Sequence, residues 1–412
     1  MSDVILRQAG LARSIAVCFL PFAAGYFLSY LYRTVNAIIG PNLVADLGLD
    51  AASLGLLTSA YFVAFAAFQL PLGILLDRFG PRRVEAILLL SAALGAVLFG
   101  LAQNVVQLTI GRALIGLGVS SCLMAGFKAN AQYWPTSRLA LSNGFLMAFG
   151  GLGATVATLP VEWFLRVSDW RMLFVVLAAT TVAVAVLIWV TVPERVQGAP
   201  GRLDEQVRAV KTILQSDTFW RVAPMTVMAQ VSFLAYQGLW AGPWLRDVAG
   251  FGRETTATIL FLMALAMIPG FALGGYAADR LLRAGIRHHT LLATFVALFL
   301  AVQVPLAFNV VTASGVLWVA FGLLGTGSVL GFSYLTRQYP AEYAGRVNTA
   351  LNVMIFVCAF AAQAGIGVII GLFSGEGDPF SASGHQAAFV VILVLQALGW
   401  LWFVLRRRPE DP

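Results

Sequence analysis

The sequence predicts an all-α polytopic membrane protein: twelve transmembrane helices, arranged as two six-helix bundles related by a pseudo-two-fold axis. Three observations carry this expectation. Of the 412 residues, 59% are hydrophobic and 11% charged, too few charges to cover the surface of a soluble chain of this length. The apolar residues come in stretches of about 20, each long enough to cross the hydrocarbon core as a helix. A charged, glycine-hinged segment, Gly73-Ile-Leu-Leu-Asp77-Arg78-Phe-Gly80-Pro-Arg82-Arg83, returns in fainter form in the second half as Gly275-Tyr-Ala-Ala-Asp279-Arg280-Leu-Leu-Arg283.

The twelve stretches lie near 14–38, 54–76, 84–103, 107–130, 139–165, 171–192, 219–242, 255–277, 288–309, 313–336, 346–373 and 387–405. None alternates with period two as a barrel strand would, so the backbone has to be satisfied inside helices. With the N-terminus in the cytoplasm, that side carries Arg7, Arg13, Arg78, Arg82, Arg83, Arg138, Arg280, Arg283, Arg287, Arg337, Arg346 and Arg406 to Arg408, against Arg166, Arg171, Arg246 and Arg253 opposite. The positive-inside rule then predicts both termini in the cytoplasm, in what is expected to be a bacterial inner membrane. The net charge of +7 is read as topology and contact with anionic lipid, with no nucleic-acid partner.

Residues 193–218 are the longest polar stretch, interrupted by Gly198, Pro200 and Gly201. They divide the chain into an N-terminal bundle (1–192), a cytoplasmic linker (193–218) and a C-terminal bundle (219–412). Within the linker Leu203 to Leu214 suits a short surface helix with Val207, Val210 and Ile213/Leu214 on one face. The halves echo each other again after the fourth and tenth stretches. Trp134-Pro135 with Arg138 and Asn143 parallels Tyr339-Pro340 with Arg346 and Asn348.

The Gly73 segment resembles the loop between the second and third helices of the major facilitator superfamily, where the pattern is roughly Gly-xxx-Asp-Arg-x-Gly-x-Arg-Arg. The first copy matches nearly throughout, and the second keeps Gly275, Asp279 and Arg280 but loses the following Gly. The resemblance covers essentially the whole chain and implies a substrate site at the midplane between two rocking bundles. It also implies that Asp77, Arg78 and Arg82, with Asp279 and Arg280 opposite, form a latch at the cytoplasmic ends. Gly73 and Gly80 would permit close helix approach and a tight turn.

Polar residues inside the spans are the candidate site, because ionisable groups are costly there. Arg33 lies about twenty residues into the first stretch, at a depth that costs roughly 2.5–3.5 kcal/mol without a partner. At helical spacing Tyr26, Tyr30, Arg33, Asn36 and Ala37 share one face. A guanidinium facing a cavity suits bidentate capture of a carboxylate or phosphate; the bland alternative is a structural ion pair or an Arg snorkelling to the interface. This helix also resembles the first helix of the organophosphate–phosphate antiporters (Gly-Tyr-Phe…Tyr-Leu-x-Arg…Ala…Pro-x-Leu), where the Arg is a phosphate ligand, and Arg33 falls on it. Those antiporters use a second Arg in the seventh helix, whereas Phe233 to Trp240 here hold no cation. One arginine fits a monoanion or zwitterion better than a doubly charged phosphate ester.

Lys128 is weighed evenly between cavity lining and snorkelling. Arg112, in Gly111-Arg112-Ala-Leu-Ile-Gly116, resembles a fourth-helix superfamily motif linked to proton coupling or to packing. Among uncharged groups Gln69, Asn143, Gln230, Tyr236, Gln237, Trp240, Tyr334, Asn348, Asn352 and Gln363 are candidates, each alone more often an interhelical hydrogen bond. No carboxylate lies at mid-span; Glu162, and less plausibly Glu85, are left as coupling acids, with Arg112 as the coupling cation.

The sequence therefore points to a secondary or facilitative transporter of a small organic anion or zwitterionic metabolite, expected to act as a monomer. A multidrug or siderophore-type amphiphile carrier is the first alternative, demoted because Gly150-Gly151-Leu-Gly153-Ala-Thr155 stands where drug–proton antiporters carry Gly-Pro-x-x-Gly-Gly. A transporter-like ligand sensor is the second. Nothing suggests an enzyme: no nucleophile elbow, phosphate loop or metal-ligand cluster is present, and no cofactor or metal is expected. Cys18, Cys122 and Cys358 read as packing; His288 and His289 are placed beside a loop and His385 in the last outer loop.

Overall fold

The computed structural model of the protein describes residues 15–134, 139–193, 203–340, 343–375 and 380–406. It is nearly all helical. The first span is built from a π turn, Ile15–Phe19, and two helices, Leu20–Thr34 and Asn36–Leu47. Pro21 sits in the first turn, where a missing N–H costs nothing. The span runs past the expected end near 38 because Pro41 lies inside the second helix without stopping it, and the helix closes on Gly48 at φ 62°. Lacking an N–H, Pro41 leaves the Ala37 carbonyl without its helical donor. That same carbonyl is closely approached by the seventh span: a Cβ on Gly242 would lie 2.4 Å from Ala37 O.

The second and third spans form one run of helix, Ala51–Gly100, in which only Gly80 departs from helical geometry, at φ 77° and ψ 162°. The loop expected around Gly73–Arg83 is thus a corner at a single residue, in a conformation that a side chain rarely adopts. Asp50 caps the run by accepting from Ser53 N at 2.8 Å. Its carboxyl is held below the usual carboxylate range first by the Ser53 hydroxyl and then by that backbone N–H. A depressed carboxylate stabilises the fold above its unfolded value and loses that contribution as pH falls through the folded one. Asp50→Ala is expected to cost about 0.5–2 kcal/mol, read as a fall in the detergent-solubilised melting temperature that vanishes at acid pH.

The fourth span is interrupted (Val105–Gly118, Cys122–Tyr133), as is the fifth (Leu139–Val156, Leu159–Val167), and the sixth is continuous (Trp170–Thr191). The linker helix Leu203–Leu214 packs on the second and eleventh spans, burying Val210 and Ile213 while Val207 stays exposed. The seventh span strings together Asp217–Ala235, a π turn Tyr236–Trp240, Ala241–Pro243 and a second π turn Trp244–Val248. Then come the eighth (Arg253–Arg283), ninth (His288–Ala307), tenth (Ser314–Gly325, 3-10 turn Thr326–Val329, Leu330–Thr336), eleventh (Ala344–Leu372) and twelfth (Ala382–Leu405).

Among the described residues nine helices are long and apolar enough to cross a membrane, the second and third spans counting as one. The first and seventh spans do not qualify on that measure. The first is cut at Val35 into pieces of 15 and 12 residues, and the seventh carries Asp217, Arg221 and Gln230 before its π turns. These are equivalent positions in the two halves, and they are where the polar side chains gather. Ile87, Leu94, Val190, Val316 and Leu398 lie on the outside, the apolar surface that a lipid environment covers.

Candidate substrate-binding cavity

The interrupted spans meet around a central cavity of about 300 Å³ between the two bundles. From the first bundle it is lined by Tyr26, Tyr30 and Arg33 of the first span, Phe65 and Gln69 of the second, and Val119 and Ser120 at the break in the fourth. The second bundle answers with Gln230 and Phe233 of the seventh span, Thr326 and Val329 at the break in the tenth, and Asn348, Asn352 and Phe356 of the eleventh. Irregular backbone at the fourth and tenth spans faces this space, the one place where unpaired peptide groups are tolerated at such depth.

Arg33 is 6% exposed, and its Nε has no hydrogen-bond partner. Its guanidinium carbon lies 4.7 Å from the Tyr30 ring centroid, 5.5 Å from Phe65, 5.5 Å from Phe356 and 5.8 Å from Tyr61. Rings at these distances stabilise the cation, and its Nε is left for an acceptor. Phe65 and Phe356, from opposite bundles, are themselves 4.1 Å apart.

Of the eight residues expected to bind substrate, Arg33, Tyr30, Tyr26 and Asn352 line this cavity, and Asn36, Tyr236, Gln237 and Lys128 are not brought to it. Asn36 donates to Thr58 Oγ1 at 3.0 Å, beyond the break at Val35. Tyr236 stacks on Phe389 at 4.0 Å inside the second bundle, and Gln237 Nε2 reaches Met267 Sδ at 3.6 Å. Lys128 is paired with Asp77. These two line a second cavity of about 320 Å³ with Gly73, Arg346, Gly345 and Val210, toward the end of the molecule that carries the helix Leu203–Leu214. Gln69, Met124 and Asn352 belong to both cavities, and Asn352 Nδ2 donates to Gln69 Oε1 at 3.2 Å across the bundles.

The gating residues separate in the same way. Asp77 is engaged within its own bundle by Lys128, Arg78 lies exposed against Phe79, and Arg82 sits 5.3 Å from the Trp189 ring. Arg280 is exposed, and the surroundings of Gly275 and the side chain of Asp279 lie outside the described residues. Arg112, 1% exposed, donates to Tyr32 O at 2.8 Å, the carbonyl just before the Val35 break, with Tyr61 at 5.4 Å. Arg112 thus takes up a carbonyl beside the interruption in the first span, and it does not line the cavity.

Glu162 belongs to the far end. Arg253 of the eighth span donates through Nε to Glu162 Oε1 at 3.2 Å and through Nη2 to Asn42 Oδ1 at 2.9 Å. Arg166 and Glu254 form the reverse pair at 2.9 Å. With Gly242 against Ala37, and Gly367 against the Ala51 carbonyl, these contacts close the far end between the bundles. Arg253 is 46% exposed, so its pair contributes about 1 kcal/mol or less. Arg253→Ala is accordingly expected to raise cysteine-labelling at the far end several-fold without unfolding the protein.

Glu85, one turn past the Gly80 corner, is fully buried; neither carboxyl oxygen has a conventional hydrogen-bond partner, and it packs against Gly25 and the Cys122 thiol. His385, expected in a loop, instead occupies the first turn of the twelfth span. It is 2% exposed, with Nε2 3.6 Å from Asp247 Oδ2. Sequence reasoning missed Phe65 and Phe356 beside Arg33, because a phenylalanine in a membrane helix carries no sign of whether it faces lipid or cavity.

Two pseudosymmetric helical repeats around a central cavity, closed off at one end and adjoined by a second cavity toward the other, are the architecture of a membrane carrier. The chain belongs to the Major Facilitator Superfamily, whose family model matches residues 22–363. It is 26% identical to the probable sulfoacetate transporter SauU of Cupriavidus necator (87% of this chain, 88% of that protein). It is 24% identical to the hexuronate transporter of Escherichia coli strain K12 (93% and 92%), and 28% to the cis,cis-muconate transport protein of Acinetobacter baylyi (76% and 77%). Its fold superposes on a bacterial homologue of the lysosomal transporter Spinster with a TM-score of 0.74 at 17% identity (95% and 96% covered). The nucleoside transporter NupG gives 0.77 at 10% identity, with 95% and 100% covered.

Proposed function

We propose that this integral membrane protein is a secondary transporter that carries a small organic anion by alternating access, with Arg33 as the anion ligand. The observation that carries the reading is the placement of Arg33: a nearly buried cation with an unpartnered Nε, lining the cavity between the bundles. The names of the relatives support it, since sulfoacetate, hexuronate and muconate are all organic anions. A guanidinium in a low-dielectric site binds a carboxylate through paired N–H donors and rejects neutral analogues that leave it unpaired.

In this reading both termini are cytoplasmic, the membrane is a bacterial inner membrane, and the protein acts as a monomer. The conformation described is then inward-facing, with the Arg253–Glu162 and Arg166–Glu254 pairs forming the outer gate. The Lys128–Asp77 pair lies on the exit path. The test is uptake of radiolabelled sulfoacetate, glucuronate, muconate and nicotinate into proteoliposomes. At least one is expected to accumulate with the wild type and not with Arg33→Ala. Binding without uptake of any would make the protein a sensor, and uptake unchanged in Arg33→Ala would remove Arg33 as the ligand.

A further inference from the structure

We infer that the substrate is a singly charged carboxylate on a flat, apolar, single-ring body, and not a polyhydroxylated sugar acid or a dicarboxylate. This rests on the reading of Arg33 as the anion ligand.

The charge count comes first. Among the described residues that line the central cavity, Arg33 is the sole charged side chain. A second carboxylate would enter a low-dielectric space with no cation to meet it, and Lys128 is taken by Asp77 in the neighbouring cavity. The charge of the occupant is therefore one.

The hydrogen-bonding capacity of the lining argues against a hydroxylated body. Gln69 is engaged at both ends, donating to Ser120 O at 3.3 Å and accepting from Asn352 at 3.2 Å. Asn348 Oδ1 accepts from Thr336 at 2.7 Å, and Thr326 donates back to Leu323 O at 2.7 Å. What is left is Gln230, the Asn348 side-chain N–H groups, Asn352 Oδ1 and the hydroxyls of Tyr26 and Tyr30. The several ring hydroxyls of a sugar acid would compete for these few groups, and each stranded hydroxyl is costly. The remaining wall is aromatic: Phe65 and Phe356 lie beside the guanidinium, and Phe233, Phe271 and Phe332 of the second bundle complete the lining. Offset and edge-on contacts with such rings favour a planar apolar body. The volume of about 300 Å³ stands at the small end of ligand sites and suits one ring.

The experiment is a thermal-shift titration of the purified full chain in detergent with four probes: benzoate, phthalate, glucuronate and benzamide. Benzoate is expected to raise the melting temperature at concentrations at least about ten-fold below phthalate and glucuronate, with no shift from benzamide. Arg33→Gln is expected to abolish the benzoate shift, and Phe356→Leu to weaken it several-fold while keeping an unliganded melting temperature near the wild type. Glucuronate or phthalate acting at lower concentration than benzoate, with the shift still lost in Arg33→Gln, overturns this inference and leaves the Arg33 reading standing. A benzoate shift that survives Arg33→Gln overturns the Arg33 reading. The absence of any benzoate shift overturns the inference whatever the other probes do.

Discussion

Arg33→Ala is expected to weaken substrate binding by about 10- to 150-fold, the equivalent of about 1.5–3 kcal/mol for a lost charge-assisted interaction. The side chain is 6% exposed among aromatic rings, so water reaches a truncated site poorly and cannot replace the guanidinium. Arg33→Lys separates charge from shape. A lysine keeps the cation but loses the planar fork and its stacking against Tyr30 and Phe65, so intermediate affinity is expected. The check is isothermal titration with the anion that proteoliposome uptake selects. Because Arg33 forms no described ion pair, its removal leaves no buried carboxylate behind, and the melting temperature is expected to move little.

Gly242→Val is expected to move the molecule as a whole. A Cβ there would lie 2.4 Å from Ala37 O, and the obstacle is backbone in a helix of the other bundle, which no rotamer change relieves. Overpacking of this kind costs typically about 1–3 kcal/mol, here charged only to the conformation in which the far end is closed. A cost of that size shifts a two-state equilibrium by about 5- to 150-fold. Distances between spin labels placed on the fifth and eighth spans at the far end are expected to lengthen, and those at the end that carries the helix Leu203–Leu214 to shorten. Unaltered distances with a lowered melting temperature would mean that the contact serves packing alone.

Apolar stretches and a repeated charged corner were enough to read the architecture, because a helix that crosses lipid has to be apolar along most of its length. The interruptions were not legible. Hydropathy is blind to backbone geometry, so the Val35 break, the unwound turn at 119–121 and the 3-10 turn Thr326–Val329 all lie inside stretches that read as continuous. Pro41 points the same way: it lies beyond the expected end near 38, and the helix runs on through it.

Arg33 stood out in the sequence because a cation at that depth is expensive and therefore conspicuous. Tyr236 and Gln237 illustrate the opposite case. Their candidacy rested on polarity alone, and the fold packs both inside the second bundle, at the π turn Tyr236–Trp240. Lys128 could not be resolved from spacing, since its partner Asp77 is 51 positions away on a different helix. The phenylalanines beside Arg33 were hidden among 29 in the chain, most of which have no polar neighbour to single them out.

The central claim is that an organic anion sits on Arg33 between the bundles. Its most direct test is the anomalous difference map of the protein crystallised with 4-bromobenzoate. The expected result is a bromine peak inside the cavity bounded by Phe65, Phe233 and Phe356, with the carboxylate in contact with the Arg33 guanidinium. A peak confined to the second cavity beside Lys128, or one in the central cavity with the carboxylate turned away from Arg33, would contradict it.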